Sequence, residues 1–221
     1  MSPAQLWRPD PQLDVLDAAE GMLGQYKASR WRKPVVDIIV SDASARTVAL
    51  PWQEQVSSGA QMRSYARALL ESRNAIGGDA WTVNAGFRHF RHAGLGVALP
   101  TALLVRLQDR LSPQGMRLRR VLPLSAVAYW QAGMKRIHGQ AILFMEEGTR
   151  TTALIYRAGR FHAIDAQPLL ADAAGAAERL CKRIEALHGK TDAVMIWSLH
   201  DVQLFSDSIK RFFPQVTLSE V

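Results

Sequence analysis

The chain has 221 residues, of which 48% are hydrophobic and 21% charged, as in ordinary globular domains. It has no run of about 18 apolar residues and no charged start followed by an apolar segment, so we expect neither a membrane-spanning helix nor a secretory signal. The formal net charge is +7, and the single cysteine, Cys181, excludes an internal disulfide and fits a reducing compartment.

Residues 1–33 are predicted to form an amino-terminal appendage. Three prolines break its start, and the segment LDVLDAAEGMLGQYKASR that follows is typical of a short amphipathic helix. From residue 34 the pattern changes to apolar, β-branched runs, which are typical of buried strands. We therefore place the first of two folded lobes at 34–137 and the second at 138–221.

The first lobe is predicted to open with a hairpin. Strands at 35–40 and 46–50 flank the turn Ser41–Ala45, and Pro51 ends the second strand. Residues 59–75 have the apolar stripe of a helix. A strand over 81–90, a helix opened by Pro100 and a strand over 116–124 complete this lobe.

The second lobe repeats this order without a repeat in sequence. Three strands are predicted in AILFM, TTALIY and RFHAI, joined by the turns EEGTR and AG, and a helix follows over 171–188. Cys181 lies on the apolar stripe of that helix, which favours a core position over a reactive one. A buried strand in DAVMIWSL, a helix in VQLFSDSIKRFF and a short terminal strand complete the chain. Strands that alternate with helices indicate an α/β protein with a mixed sheet in each lobe.

This double pattern resembles the superfamily of actin, sugar kinases and Hsp70, which is built from two ribonuclease-H-like lobes. In that superfamily the turn after the first strand of each lobe holds phosphates. The segment FMEEGTRTTALIYRAGRF is similar to the second of these hairpins. The resemblance implies an actin-like ATPase fold.

Within the superfamily the chain is most similar to the actin-like platform proteins of bacterial envelope machines. These are PilM of type IV pilus assembly and the cytoplasmic domain of GspL of type II secretion. The similarity rests on VVDIIVSDASARTVALPW, on YARALLE and on GVALPTALLVRLQDRLSPQGMRLRRVLP, in that order. It implies a cytoplasmic scaffold, peripheral to the inner membrane, that binds the cytoplasmic tail of a membrane-anchored partner and in some members an assembly ATPase. We expect the chain to reach the membrane only through a partner.

The residues of the phosphate-binding turns indicate that nucleotide binding is weak or absent. Phosphate needs bare backbone amides and no uncompensated anions, yet the first turn has no glycine and the second begins with two glutamates. We therefore expect no cofactor and no catalytic residue. A retained site would take ATP with Mg²⁺, and its candidate residues are Asp42, Ser44, Glu146, Glu147, Gly148, Thr149 and Thr151.

Aromatic and arginine side chains are the candidates for partner binding, because these residue types dominate interface energetics. The candidates are Trp52, Trp130, Arg88 and Arg91. Two other functions stay open, a functional actin-like ATPase and a basic nucleic-acid-binding module that uses the RHFRH segment. No recognised nucleic-acid motif accompanies that segment, so we do not expect DNA as a partner, and the six histidines show no metal-ligand spacing.

Overall fold

The structure is a computed structural model that describes residues 16–18, 21, 34–131, 139–147, 150–168, 173–198, 209, 211–213 and 218–220. Most of the predicted appendage at 1–33 and most of the predicted helix at 202–213 lie outside these residues. Within them, no helix combines the length and the apolar character needed to cross a bilayer.

Strands and helices alternate along the chain, as the sequence predicts. The first half contains β1 (Val35–Val40), β2 (Arg46–Leu50), α1 (Gly59–Ser72), β3 (Trp81–Gly86), β4 (Gly94–Pro100), α2 (Thr101–Leu111), β5 (Arg117–Pro123) and α3 (Leu124–Gln131). The second half contains β6 (Gln140–Glu146), β7 (Arg150–Arg157), β8 (Arg160–Pro168), α4 (Ala173–His188), β9 (Ala193–Ser198) and β10 (Leu218–Glu220).

The second half forms one mixed sheet in the order β10-β9-β6-β7-β8. Strands β6, β7 and β8 form the predicted antiparallel meander, and β9 and β10 extend the sheet as parallel strands. Alternate side chains of β6 point to opposite faces. Ile142 and Phe144 pack in one cluster with Leu180 and Cys181 of α4, which confirms that Cys181 is a core residue. Burial raises the pKa of its thiol to about 12.

The other face of this sheet packs against the first half of the chain. Leu143 and Met145 of β6 share a core cluster with Leu95 of β4 and with Ala128 and Tyr129 of α3. Strand β6 is therefore covered on both faces, which explains why its sequence is continuously apolar where a half-exposed strand would alternate. This cluster joins the two halves of the molecule.

The predicted hairpin of β1 and β2 is wrong. Strand β1 pairs in parallel with β5, whereas β2 pairs antiparallel with β4 in a three-stranded sheet of order β2-β4-β3. A tight hairpin turn needs residues at positive φ, and among the described residues none with positive φ lies between Ser41 and Ala45. A 3-10 turn at Asp42–Ser44 leads the chain away instead.

Two further predictions of the first half need correction. The strand predicted over 81–90 ends at Gly86, and a loop of residues 87–93 leads into β4, which was not foreseen as a strand. Helix α3, which begins directly after Pro123, was also not foreseen. Pro100 does precede helix α2, as predicted. Among the described residues of the appendage, Leu16 is the one that belongs to a core cluster. It packs there with Leu107 of α2.

Candidate functional site

The turn after β1 brings a carboxylate into the interior. The Ser41 hydroxyl accepts a hydrogen bond from the Ala43 amide at 3.1 Å, and the Asp42 carbonyl accepts one from the Ala45 amide at 3.2 Å. These bonds close the 3-10 turn. The turn leaves Asp42 only 2% exposed, an unusual position for a carboxylate.

The turn after β6 brings a second carboxylate to the same place. The Glu147 amide donates to the Arg150 carbonyl at 3.0 Å, which closes this turn. The Glu147 side chain is 8% exposed, and both of its carboxylate oxygens accept the Asp42 amide hydrogen at 3.0 Å. The turns at the ends of β1 and β6 are thus joined directly, although 105 positions separate the two residues.

Helix α3 supplies the third member of the site. The Asp42 Oδ1 atom accepts one hydrogen bond from the Ser125 amide at 3.1 Å and another from the Ser125 hydroxyl at 2.7 Å. Ser125 is fully buried in the first turn of α3. We call Asp42, Glu147 and Ser125 the carboxylate network.

Several buried polar atoms beside the network have no hydrogen-bond partner within the described residues. They are Arg150 Nε and Thr151 Oγ1, and also Asp42 Oδ2 and Thr152 Oγ1, which make no hydrogen bond of good geometry although the Thr152 hydroxyl acts to lower the pKa of Asp42. Buried polar groups are normally paired in folded proteins, so these atoms are the ones that a bound ion, ligand or water would satisfy. The described residues contain no group of three or more histidine, cysteine, aspartate or glutamate side chains able to hold a metal.

The two carboxyl groups are harder to ionise than usual. Burial and the neighbouring Asp42 charge raise the pKa of Glu147 to about 7, and the bond from the Asp42 amide opposes this shift only in part. Burial also raises the pKa of Asp42, while the two bonds from Ser125 act in the opposite direction. The network therefore tends to hold a proton near neutral pH.

This arrangement disfavours phosphate at the Asp42 turn. A phosphate site needs backbone amides that point into free space, and here the Asp42 amide already donates to a carboxylate. A second anion at this point would meet two carboxyl groups in a poorly solvated site.

The architecture matches solved proteins of known fold. One chain of a PilM–PilN complex of type IV pilus biogenesis superposes on 100% of this chain and over 79% of its own length, with a TM-score of 0.67 and 11% identity. A Bacteroides thetaiotaomicron protein described as having an actin-like ATPase fold and unknown function covers 95% of this chain and 78% of its own, with a TM-score of 0.62 and 11% identity. The chain has an actin-like fold. This confirms the resemblance that the sequence indicated.

A third solved structure is more distantly similar to this actin-like chain. It is the cytoplasmic domain of EpsL, an inner membrane component of the Vibrio cholerae type II secretion system, which matches over 89% of this chain and 80% of its own. Its identity is 15% and its TM-score 0.47. No model of a protein family matches the sequence, and a search of the curated proteins found no match.

The actin-like fold brings together only part of the predicted nucleotide site. Asp42 and Glu147 are in the carboxylate network, and Thr151 is fully buried beside it. Glu146 lies opposite Thr151 in the register of β6 and β7, and Ser44 is half-buried in the 3-10 turn. Gly148 and Thr149 lie outside the described residues.

Sequence reasoning missed the residues that α3 and β7 add to this site. Ser125 belongs to a helix that was not foreseen, and Arg150 and Thr152 were not among the candidates. The signal for Ser125 is its position two residues after Pro123, which ends β5, because a serine at the start of a helix presents both a hydroxyl and a free amide.

The residues predicted to bind a partner lie around the loop of residues 87–93. Trp52 packs edge-on against Phe87 and Phe90, each at 5.0 Å between ring centroids. We call these three residues and Arg91 the aromatic tip. Arg88 serves a structural role beside it, because its amide donates to the Tyr129 hydroxyl and its guanidinium to the Tyr129 carbonyl, both at 2.7 Å. Trp130 is 49% exposed.

Proposed function

We propose that this chain is a non-enzymatic, actin-like scaffold at the cytoplasmic face of an inner membrane. In that role it binds the cytoplasmic tail of a membrane-anchored protein and takes part in the assembly of type IV pili or of a type II secretion system. The similarity in fold to a chain of a PilM–PilN type IV pilus biogenesis complex supports this proposal.

The observation that carries the proposal is the contact of the Glu147 carboxylate with the Asp42 amide. A phosphate site between the two turns would need backbone amides that are free to bind it. Here the turns are connected by the side chains of the chain itself, with Ser125 completing the contact. A scaffold needs one stable arrangement of its halves, and this network supplies a connection between them without a bound nucleotide.

A second candidate function is an actin-like ATPase that binds ATP with Mg²⁺. The unpartnered buried atoms Asp42 Oδ2, Thr151 Oγ1 and Thr152 Oγ1 favour it, because a hydrated cation would satisfy them. The carboxylate network opposes it, since a triphosphate would first have to displace Glu147.

Calorimetry with ATP and Mg²⁺ separates the two candidates. For the scaffold we expect no saturable heat at nucleotide concentrations up to about 1 mM, which places any binding weaker than about −4 kcal/mol. A nucleotide-binding actin-like protein in the same buffer is the positive control. Micromolar affinity for ATP would contradict the scaffold proposal and favour the ATPase.

Binding of a membrane protein's tail is the positive test. We expect a synthetic peptide with the cytoplasmic tail of the PilN-like protein from the same organism to bind with a Kd of about 1–100 μM, equivalent to roughly −8 to −5 kcal/mol. Fluorescence anisotropy of the labelled peptide measures it. A scrambled peptide of the same composition is the control, and equal affinity for both would count against a tail-binding scaffold.

A further inference from the structure

The loop between β3 and β4 presents an aromatic side chain to solvent. Phe90 is 70% exposed, and it is followed by two further exposed residues, Arg91 and His92. The ring of Phe90 is supported by Trp52, which itself contacts Phe87. The aromatic tip is thus held outward by packing, although an apolar ring in water is unfavourable. Apolar surface marks a site of interaction when several side chains contribute to it, and here the half-buried rings of Trp52 and Phe87 extend the surface of Phe90.

One arginine contacts this exposed ring, and further basic residues are close to it in sequence. Arg88, His89, Arg91 and His92 lie within five consecutive positions. The Arg91 guanidinium lies 5.3 Å from the centre of the Phe90 ring and 3.6 Å from the Glu54 carboxylate. Both members of that ion pair are mostly exposed, so the pair is weak and leaves Arg91 available to a stronger anion.

A further aromatic ring lies next to the root of the loop. Trp130 packs against Gly86, where a Cβ atom would come within 3.3 Å of the indole. Half of the Trp130 side chain remains exposed. The indole of tryptophan is a group that membrane proteins place at the level of the lipid headgroups.

We propose that the aromatic tip binds the anionic phospholipid surface of the membrane, with Phe90 entering the headgroup region and Arg91 contacting lipid phosphate. The location of the chain at a membrane rests on the proposed function. The cytoplasmic leaflet is negatively charged, so it complements the basic loop. Short cytoplasmic segments next to membrane-spanning helices carry an excess of lysine and arginine, so Arg91 complements the lipid surface better than it complements such a segment. The tip thus gives the scaffold a direct contact with the membrane in addition to the contact through a partner.

Co-sedimentation with vesicles tests this contact. We expect the full chain to bind vesicles of equal parts phosphatidylcholine and phosphatidylglycerol, and not vesicles of phosphatidylcholine alone. Raising NaCl from about 50 to about 300 mM should reduce the bound fraction at least threefold, because salt screens exposed charges. Phe90→Ser should weaken binding about tenfold, which corresponds to the loss of one buried phenyl ring.

Matched variants separate the contributions of charge and of the aromatic ring. Arg91 has a φ of 59°, so Arg91→Asn, which tolerates this conformation, removes the charge without straining the loop. We expect it to weaken binding to anionic vesicles, whereas Glu54→Gln should strengthen it by removing the competing carboxylate. Leu187→Ser on α4 removes a side chain that is 67% exposed in the second half, and it should leave binding unchanged.

Fluorescence shows whether the loop enters the lipid. The native Cys181 is fully buried, so a cysteine introduced by His92→Cys is the reactive site for an environment-sensitive dye. Its emission should shift to shorter wavelength with anionic vesicles, and a dye attached through Leu187→Cys should not respond. Equal binding to neutral vesicles, or binding unaffected by Phe90→Ser and Arg91→Asn, overturns the proposal. So does preferential binding of single-stranded DNA or RNA that the same variants abolish.

The two proposals fail separately. Phe90 is not among the residues predicted to bind the partner, so Phe90→Ser should retain most of its affinity for the partner tail. Tail binding without vesicle binding would remove the lipid contact alone. Vesicle binding without tail binding would contradict the proposed partner of the scaffold and would still support the lipid contact.

Discussion

Replacing Glu147 with glutamine is expected to make the protein about 2–3 kcal/mol more stable at about pH 8 and to leave its stability nearly unchanged at about pH 4.5. In the folded chain the pKa of Glu147 is raised from 4.5 to about 7, chiefly by burial and then by the Asp42 charge. Each unit of this difference corresponds to about 1.4 kcal/mol. Glutamine keeps an oxygen to accept the Asp42 amide hydrogen and has no charge to bury.

The direction follows from proton binding. Between pH 4.5 and about 7 the folded chain holds a proton on Glu147 that the unfolded chain has lost. The contribution of this group to stability is therefore complete below pH 4.5, declines as the pH rises through that window, and is constant above it. The variant lacks the group and should not show this decline.

Urea unfolding of both proteins at several pH values measures the effect. The difference between the two midpoints isolates Glu147 from the histidines, among which burial lowers the pKa of His162 and His188. Glu71→Gln, which removes an exposed carboxylate four residues from Arg67 on α1, is the control and should change stability by less than about 0.5 kcal/mol at every pH. A wild-type to Glu147→Gln difference that does not vary with pH would mean that folding does not raise the pKa of Glu147.

The local structure of this chain follows closely from its sequence, whereas the strand pairing does not. The ends of α1 and α2 and the meander of β6 to β8 are encoded by apolar periodicity and by turn residues within each segment. The pairing of β1 with β5 joins residues about eighty positions apart, such as Val35 with Arg117, and no local pattern encodes it. The hairpin prediction failed because two adjacent strands pair only if the turn between them permits it.

Helix α3 is not predicted from the sequence for a different reason. Its sequence LSAVAYWQ is buried at six of its eight positions, Leu124 to Tyr129, so it has no polar face and no amphipathic period. Ser125 could not be predicted as a site residue for the same reason, because it lies in that helix. Asp42 and Glu147 could be named in advance only from the resemblance to actin-like proteins. Their direct contact depends on how the halves pack, which the order of elements along the chain does not determine.

Replacing Gly96 with valine is expected to destabilise the protein by about 3 kcal/mol, the upper part of the range for overpacked cores. Gly96 lies in the middle of β4, opposite Val48 of β2 and Ala85 of β3. A Cβ atom there would lie 2.9 Å from the Ala66 Cβ atom of α1 and 3.0 Å from a Val48 methyl group. Helix α1 can pack this closely on the sheet only because β4 has no side chain at this point.

The expected loss of stability tests this packing, because Val48 and Ala66 are buried and have no free space into which to move. Thermal unfolding should show a Tm lower by roughly 10 °C for a domain of this size. Gly77→Ala is the matched control, because a Cβ atom at Gly77 would have nothing within 4 Å and its φ of −146° suits any residue. Alanine there should be neutral or stabilising by about 0.5 kcal/mol, through its smaller loss of chain entropy. A Gly96→Val variant as stable as the Gly77→Ala variant would mean that α1 packs further from β4, and that the close approach of helix and sheet is not what requires glycine at this position.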